Sequence, residues 1–135
     1  MAGYSGTPLA TKLGFRPPMT VLTIEAPAGY RSWLEGLAPG VDFTTRMAKP
    51  VAAAHVFVTR AAALRKQAAR LRKALGPEGF VWISWPKKSS GVATDVTEDT
   101  IREVALPLGF VDVKVCAVTD TWSGLKLVIR RSERK

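Results

Sequence analysis

The chain has little of two residue types that carry much of protein chemistry. Its 135 residues include one cysteine, Cys116, and one histidine, His55. A lone cysteine forms no internal disulfide, so a reducing cytoplasm is the simplest compartment. Structural zinc takes four ligands, most often Cys and His, which argues against a zinc site built from this chain alone. A cysteine nucleophile needs a neighbouring base, and nothing in the sequence places His55 beside Cys116.

Acidic residues and long apolar runs are also scarce. There are 11 Asp and Glu against 20 Lys and Arg, so the formal net charge is +9. This balance favours weak, salt-sensitive contact with nucleic acid or other acidic partners, although charge alone does not define a function. The sequence shows no charged-then-apolar leader and no apolar run long enough to span a bilayer, so we expect no membrane association.

Turn residues divide the chain into short β-rich runs and amphipathic stretches. The β-rich runs predict strands at Met19–Ile24, Val41–Arg46, Ala54–Val58, Phe80–Trp85, Val111–Val118 and Leu125–Arg130. The amphipathic stretches predict helices at Tyr30–Leu37, at Ala61–Leu75 with Thr59 as its cap, and after Thr97, where Pro107 is expected to end the helix near Leu106.

The two ends of the chain are expected to lie outside this pattern. Thr7 as cap, Pro8 at the first helical position and Gly14 after the end predict a short helix. That helix belongs to an N-terminal appendage, residues 1–18, whose polar start is expected to be flexible. Residues 131–135 are predicted to be a disordered tail, and the 135 residues are treated as a single domain.

The order of the predicted elements indicates an α/β fold. Strands alternating with helices predict a three-layer, Rossmann-like arrangement with a mostly parallel sheet of about six strands, closed by an antiparallel hairpin. The link Met47–Pro50 is too short for a helical crossover between parallel strands. The second strand is therefore expected at an edge of the sheet, where an uncovered edge is a candidate dimer surface.

A last helix followed by an antiparallel pair resembles the end of the class I methyltransferase fold. That resemblance implies binding of S-adenosylmethionine, with a glycine-rich loop after the first strand and an acid at the end of the second. The corresponding segments here are Glu25–Gly29, with one glycine, and Thr45–Met47, with no acid. We therefore expect no cofactor.

The chain also resembles a bacterial domain-of-unknown-function family of small proteins to which no activity is assigned. The segments that carry this resemblance are Gly3–Leu9, Trp85–Lys88 with Ser90 and Gly91, Thr94 and Asp95 with Thr97–Asp99, Asp112–Ala117 and Thr121–Lys126. They span most of the chain, and they imply a bacterial origin without implying a reaction.

The loop after the fourth predicted strand is the main candidate for a binding site, because ligands of open α/β sheets bind at the carboxyl ends of the strands. The residues proposed to bind a ligand at this edge are Trp85, Lys87, Lys88, Ser89, Ser90, Gly91, Trp122, Ser123, Gly124, Lys126 and Gly29. Lysines supply charge, serines supply hydroxyls, glycines allow close backbone approach, and tryptophans offer flat apolar walls. An equally favoured interpretation is that the tryptophans pack in the core and the lysines are solvated, with no binding site at this edge. The segment lacks the phosphate-loop order of residues.

Two further groups of charges are interpreted as structural. Asp95, Glu98 and Asp99 precede or begin a predicted helix, where acids favour the helix dipole, so capping is preferred over general acid–base chemistry. The helix Ala61–Leu75 and the residue before it carry six cations, Arg60, Arg65, Lys66, Arg70, Arg72 and Lys73. A solvated face is the first interpretation of these cations, and contact with a phosphate backbone is the second.

The leading functional hypothesis is a non-catalytic or vestigial methyltransferase-like domain that binds an anionic small molecule or a protein partner at the carboxyl edge. A divergent methyltransferase and a non-specific nucleic-acid-binding protein are the alternatives. The residues predict no catalytic group and no metal site.

Overall fold

The computed structural model of the chain describes residues 7–134, so the start expected to be flexible lies outside the described residues. The described part contains six strands: β1 (Met19–Ile24), β2 (Val41–Thr44), β3 (Val51–Phe57), β4 (Leu75–Pro86), β5 (Phe110–Ala117) and β6 (Trp122–Ile129). It also contains three α-helices: α1 (Leu9–Leu13), α2 (Ala61–Ala74) and α3 (Glu98–Ala105).

The six strands form one sheet in the order β2-β1-β3-β4-β6-β5. Strands β1 to β4 run parallel, whereas β6 is antiparallel to both β4 and β5. The predicted α/β class, the mostly parallel sheet and the closing hairpin are therefore confirmed. Strand β4 begins at Leu75, five residues before the predicted start, because the chain joins the sheet directly after α2 and pairs there with Val51.

The sheet has two covered faces. On the face that we call the α2/α3 face, Leu64, Leu71 and Ile101 pack against sheet residues such as Val56 and Ile83. The predicted inward stripe of α2 is confirmed, since Leu64, Ala68 and Leu71 are buried at helical spacing. The opposite face, called the α1 face, is covered by α1 and by the 3₁₀ helix Tyr30–Leu34.

The predicted α-helix over Tyr30–Leu37 is wrong. The segment forms only a five-residue 3₁₀ helix, Tyr30–Leu34, that buries Tyr30 and Leu34. Gly36 then takes a left-handed conformation, with φ of 80°. Glycine weakens a helix and populates that conformation freely, so the chain turns before a second helical turn can form.

The predicted Thr59 cap of α2 is also wrong, because the cap comes from a distant loop. Arg60 occupies the N-cap position without a side-chain cap among the described residues. The Ala61 N–H instead donates to the Asp95 carboxylate at 2.7 Å. The Thr59 carbonyl accepts a hydrogen bond from the Thr94 hydroxyl, which holds the two loops together.

Helix α3 begins and ends as the sequence predicts. Thr97 caps it, with reciprocal hydrogen bonds between Thr97 and Thr100. After Ala105 the chain tightens into the 3₁₀ helix Leu106–Leu108, which contains Pro107. The α-helix ends there because proline lacks the N–H that its next hydrogen bond needs.

Strand β2 lies at an edge of the sheet, as the short link to β3 predicts. In the described part of the chain, no helix lies between β2 and β3 to cover this part of the α2/α3 face. An open groove of about 510 Å³ remains there, lined by residues that include Thr20, Leu22, Asp42 and Thr44.

The predicted disordered tail is ordered over most of its length. Residues Arg131–Glu133 form a 3₁₀ helix, and Glu133 pairs with Arg72 at 3.6 Å. Arg134 donates to the Ile129 carbonyl, which ties the end of the described chain to β6. Among residues 7–134, no helix is long and apolar enough to cross a membrane.

Candidate functional site

The carboxyl ends of β1, β3 and β4 meet at one edge of the sheet, and the hairpin turn between β5 and β6 lies at the same edge. The turn and the loop after β4 are in direct contact, since the Lys87 N–H donates to the Thr121 carbonyl at 2.7 Å. The sheet register thus brings the loop after β4 and the hairpin turn together at this edge.

The loop after β4 presents its charges outward. Lys87 is half-buried, whereas Lys88 and Ser89 are exposed. The Ser90 hydroxyl donates to the Lys87 carbonyl at 2.6 Å and accepts from the Val92 N–H, so this hydroxyl shapes the loop. Gly91 has a φ of 77° and open space around it. Lys87, Lys88 and Ser89 are therefore the members of this loop that are available to a ligand.

The two tryptophans lie on opposite faces of the sheet. Trp85 belongs to the core of the α2/α3 face and keeps only 8% of its surface exposed. Trp122 packs on the α1 face, with its ring 5.0 Å from that of Phe57. The two rings therefore do not form two walls of one pocket, and Trp85 has little surface to offer a ligand.

The remaining proposed residues of β6 serve different roles. Gly124 lies opposite Ser84, where a Cβ atom would come within 3.1 Å of the Trp82 ring, so this position has little room for a side chain. Ser123 lies opposite Trp85 and is half-buried. Lys126 lies four residues along β6 from Trp122, about 13 Å away. The structure does not bring Lys126 to the carboxyl edge.

The loop after β1 has unusual backbone geometry. Glu25 is exposed and has a φ of 58°, in the left-handed region that normally favours glycine. Two residues on, Pro27 supplies no N–H, and Gly29 follows with a φ of 84°. The loop therefore presents a carboxylate where a glycine-rich loop would offer backbone donors to an anion.

Beneath this edge lies a buried polar chain, whose hydrogen-bond partners the sequence predictions did not identify. The Tyr30 hydroxyl lies 2.8 Å from His55 Nδ1, and His55 Nε2 lies 2.7 Å from the Ser84 hydroxyl. These residues come from the 3₁₀ helix, β3 and β4, so they link three elements. A histidine within an apolar strand is the signal that could have revealed the chain, because buried polar groups need partners.

Burial controls the protonation of the groups in this chain. Because His55 is wholly enclosed, desolvation lowers its pKa to about 3, which keeps the ring neutral at physiological pH. Burial likewise raises the pKa of the Tyr30 hydroxyl, opposed by the charge of Arg31. A neutral ring can donate from one nitrogen and accept at the other, so both hydrogen bonds are satisfied. Without solvent access, Ser84 and His55 act as structural groups.

The side chains considered for catalysis have other roles in the structure. Burial raises the pKa of the Cys116 thiol, against the opposing charges of Lys12, Lys114 and Lys87. Asp95 caps α2, and Arg102 pairs with Glu98, Asp99 and Asp112. Among residues 7–134, no group of three or more His, Cys, Asp or Glu side chains is arranged to hold a metal ion.

The basic face of α2 points to solvent. Arg65, Lys66, Arg70 and Lys73 are exposed, whereas Arg72 pairs with Glu133. None of these four exposed cations pairs with a carboxylate in the described part of the chain. This face therefore carries unneutralised positive charge.

Comparison with solved structures identifies the fold as that of the S-adenosylmethionine-dependent methyltransferases. A methyltransferase of this type from Aquifex aeolicus superposes with a TM-score of 0.67 at 13% identity, covering 90% of this chain and 87% of that one. A putative type 11 methyltransferase from Sulfolobus solfataricus gives 0.64 at 13% identity, covering 94% and 92%. Fibrillarin from Aeropyrum pernix, solved with bound S-adenosyl-L-methionine, gives 0.60 at 11% identity, covering 89% and 73%.

These similarities concern the fold alone, because identities are low. No protein-family model matches the chain, and no curated protein matches it. The resemblance to a family of small bacterial proteins therefore stays a prediction, and the function has to be argued from the site.

Proposed function

We propose that this chain is a non-catalytic domain with the methyltransferase fold that binds an anionic small molecule at the carboxyl edge of its sheet. The observation that carries the proposal is the pair Lys87 and Lys88 beside the hairpin turn. Neither ammonium group pairs with a carboxylate within residues 7–134. Both charges are therefore available to a ligand at the edge where open α/β sheets bind theirs.

Two features of the loop after β1 support a binding role without the methyltransferase cofactor. Glu25 adds negative charge to that loop, and Pro27 removes a backbone donor. Strand β2 ends at Thr44, and no acid follows it before the link to β3. The loop thus lacks the backbone donors, and β2 lacks the acid, that the class I methyltransferase resemblance implies.

A charge-matched comparison tests the lysines. Wild-type protein is titrated by calorimetry with a panel of nucleotides and acidic cofactors, and every ligand found is repeated with Lys87→Ala/Lys88→Ala. We expect affinity to fall about tenfold or more, since each charge-assisted contact is strong. The control Lys66→Ala/Lys73→Ala removes the same charge from α2 and should change affinity by about twofold at most. Unchanged affinity of the Lys87/Lys88 variant for every wild-type ligand would refute the role of these lysines.

The second candidate function is that of a divergent methyltransferase. It is favoured by the shared fold, and the fibrillarin that shares it was solved with S-adenosyl-L-methionine bound. Under this alternative the loop after β1 would hold the cofactor despite Glu25 and Pro27. Binding of the cofactor by the complete chain distinguishes the two candidates.

A third candidate, non-specific nucleic-acid binding, is favoured by the exposed cations of α2. It predicts affinity for duplex DNA or RNA that falls steeply with salt, because bound phosphates release counterions. Charge reversal in Lys66→Glu/Arg70→Glu should then abolish most of the binding, whereas Lys87→Ala/Lys88→Ala should not. Binding that is absent or insensitive to salt would dispose of this candidate.

A further inference from the structure

A second group of cations converges on the α1 face, away from the carboxyl edge. Its members come from four separate elements of the chain: α1, the segment before β1, β5 and β6. We call these residues the α1-face cluster: Lys12, Arg16, Lys114 and Lys126.

Packed neighbours hold the first two members in place. The Trp82 indole N–H donates to the Leu13 carbonyl at 2.8 Å, which fixes the end of α1 to the buried sheet. Phe15 stacks on Phe80 with ring centroids 6.3 Å apart. Lys12 and Arg16 flank this anchored segment, so their backbone positions are set by the core.

The other two members are directly opposite one another in the β5–β6 pair. Lys114 and Lys126 are register partners, an arrangement of like charges that destabilises a sheet. Lys126 Nζ lies 4.5 Å from the centre of the Phe80 ring, and Lys114 Nζ donates to the Lys12 carbonyl at 3.4 Å. Burial lowers the pKa of Lys126, and the charges of Lys114 and Arg16 lower it further.

Within residues 7–134, no carboxylate pairs with a member of the cluster. The sequence contains no Asp or Glu before Glu25, so the residues that precede Thr7 carry no acidic side chain either. Four cations gathered by folding without a counter-charge reduce stability, unless an anion binds among them.

We infer that the α1-face cluster binds a small ligand with two or three linked phosphate groups. The Cα atoms of opposite residues in an antiparallel pair lie about 5 Å apart, so the backbones of Lys114 and Lys126 are close together. The Lys12 carbonyl accepts from Lys114, and Arg16 follows Phe15, whose ring stacks on the Phe80 ring that Lys126 contacts. Such a compact group of cations matches a compact multivalent anion. A phosphate backbone would instead favour a stripe of cations.

This cluster is separate from the carboxyl edge and does not depend on the function proposed there. Lys126 faces Phe80 and Trp82 in the middle of the sheet, whereas Lys87 follows the end of β4. The charges of Lys12, Lys114 and Lys87 all act to lower the pKa of the Cys116 thiol, against the larger effect of burial. Lys87 is therefore the cation of the carboxyl edge to test alongside the α1-face cluster.

The experiment is a calorimetric titration of the full chain with inorganic tripolyphosphate at low salt. Lys114→Gln/Lys126→Gln should weaken binding about tenfold or more, because two charge-assisted contacts are lost. The charge-matched control Lys66→Gln/Lys73→Gln and the edge variant Lys87→Ala/Lys88→Ala should each change affinity by about twofold at most. Equal weakening in all three variants would overturn the assignment, as would a wild-type protein that gives no heat with millimolar tripolyphosphate.

Two further measurements make the test decisive. The melting temperature of ligand-free Lys114→Gln should rise by about 2 °C, since a like-charged pair is relieved. A lower melting temperature would contradict the repulsion on which the inference rests. Titration with a short uridine oligonucleotide forms the last arm. The small-anion assignment would be overturned if the oligonucleotide bound more tightly than tripolyphosphate and this binding were lost in Lys114→Gln/Lys126→Gln. The cluster would then be a nucleic-acid-binding site.

Discussion

Ser84 Oγ lies 2.7 Å from His55 Nε2, and both side chains are completely buried. The contact joins β4 to β3 beneath the carboxyl edge. We predict that Ser84→Ala lowers the free energy of unfolding by about 1–3 kcal/mol, because a buried nitrogen loses its partner. Urea denaturation measures the loss, with Ser89→Ala as control, since Ser89 is exposed. Equal stability of Ser84→Ala and Ser89→Ala would contradict the role given to this contact.

The same histidine predicts how stability depends on pH. The pKa of His55 is about 3 in the folded protein, against an ordinary value of 6.5. Between these values the unfolded chain binds a proton that the folded chain does not, so stability falls as the pH is lowered, by roughly 1 kcal/mol per pH unit. Above pH 6.5 this contribution is fully present.

Denaturation curves between neutral and mildly acidic pH check this prediction by comparing slopes. In the variant His55→Gln, the unfolding free energy should depend less steeply on pH, because the contribution of the histidine is removed. This holds whatever the stability of the variant at neutral pH. Tyr30→Phe removes the hydrogen bond at Nδ1 but keeps the buried histidine, so its slope should stay close to that of the wild type. An unchanged slope in His55→Gln would show that other groups control the acid response.

Gly124 is predicted to be a packing glycine. An added Cβ would lie 3.1 Å from the Trp82 ring and 3.3 Å from the Ser84 hydroxyl, and both side chains are buried. Gly124→Ala should therefore destabilise the protein by about 1–3 kcal/mol, as overpacking does. Gly76→Ala is the control, because its nearest neighbour would be 3.4 Å away. Thermal unfolding of the two variants tests the difference, and equal losses would contradict it.

The cap on α2 is predicted to be worth about 1 kcal/mol. Asp95→Ala removes the acceptor of the Ala61 N–H, so α2 should lose that stability in urea denaturation. Asp95→Asn keeps a side-chain oxygen and should retain most of it. If the asparagine variant were as unstable as the alanine variant, the charge of Asp95 would be the important property instead.

Much of the fold follows from local sequence patterns. The order of the strands, the inward stripe of α2 and the cap and end of α3 depend on residues that are neighbours in the chain, and these predictions are confirmed. The cap from Asp95 was missed because donor and acceptor are 34 residues apart. The helix over Tyr30–Leu37 was overestimated because its apolar spacing also suits a single 3₁₀ turn.

The positions of the candidate residues were predicted only in part, since these positions depend on the register between strands. Predicting the carboxyl edge requires only the direction of the strands, and Lys87 and Thr121 meet there. Placing Trp85 and Trp122 on opposite faces requires the pairing of Pro86 with Trp122, which no local pattern contains. The α1-face cluster likewise exists only after β5, β6 and α1 have packed together.

Calorimetry with S-adenosylmethionine decides whether this methyltransferase fold binds ligands without the methyltransferase cofactor, as we propose. The full chain is titrated with S-adenosylmethionine and with its demethylated product to millimolar concentration. The loop containing Glu25 and Pro27 predicts no saturable heat with either compound. Saturable binding of S-adenosylmethionine by the wild-type chain would contradict the account and support a divergent methyltransferase.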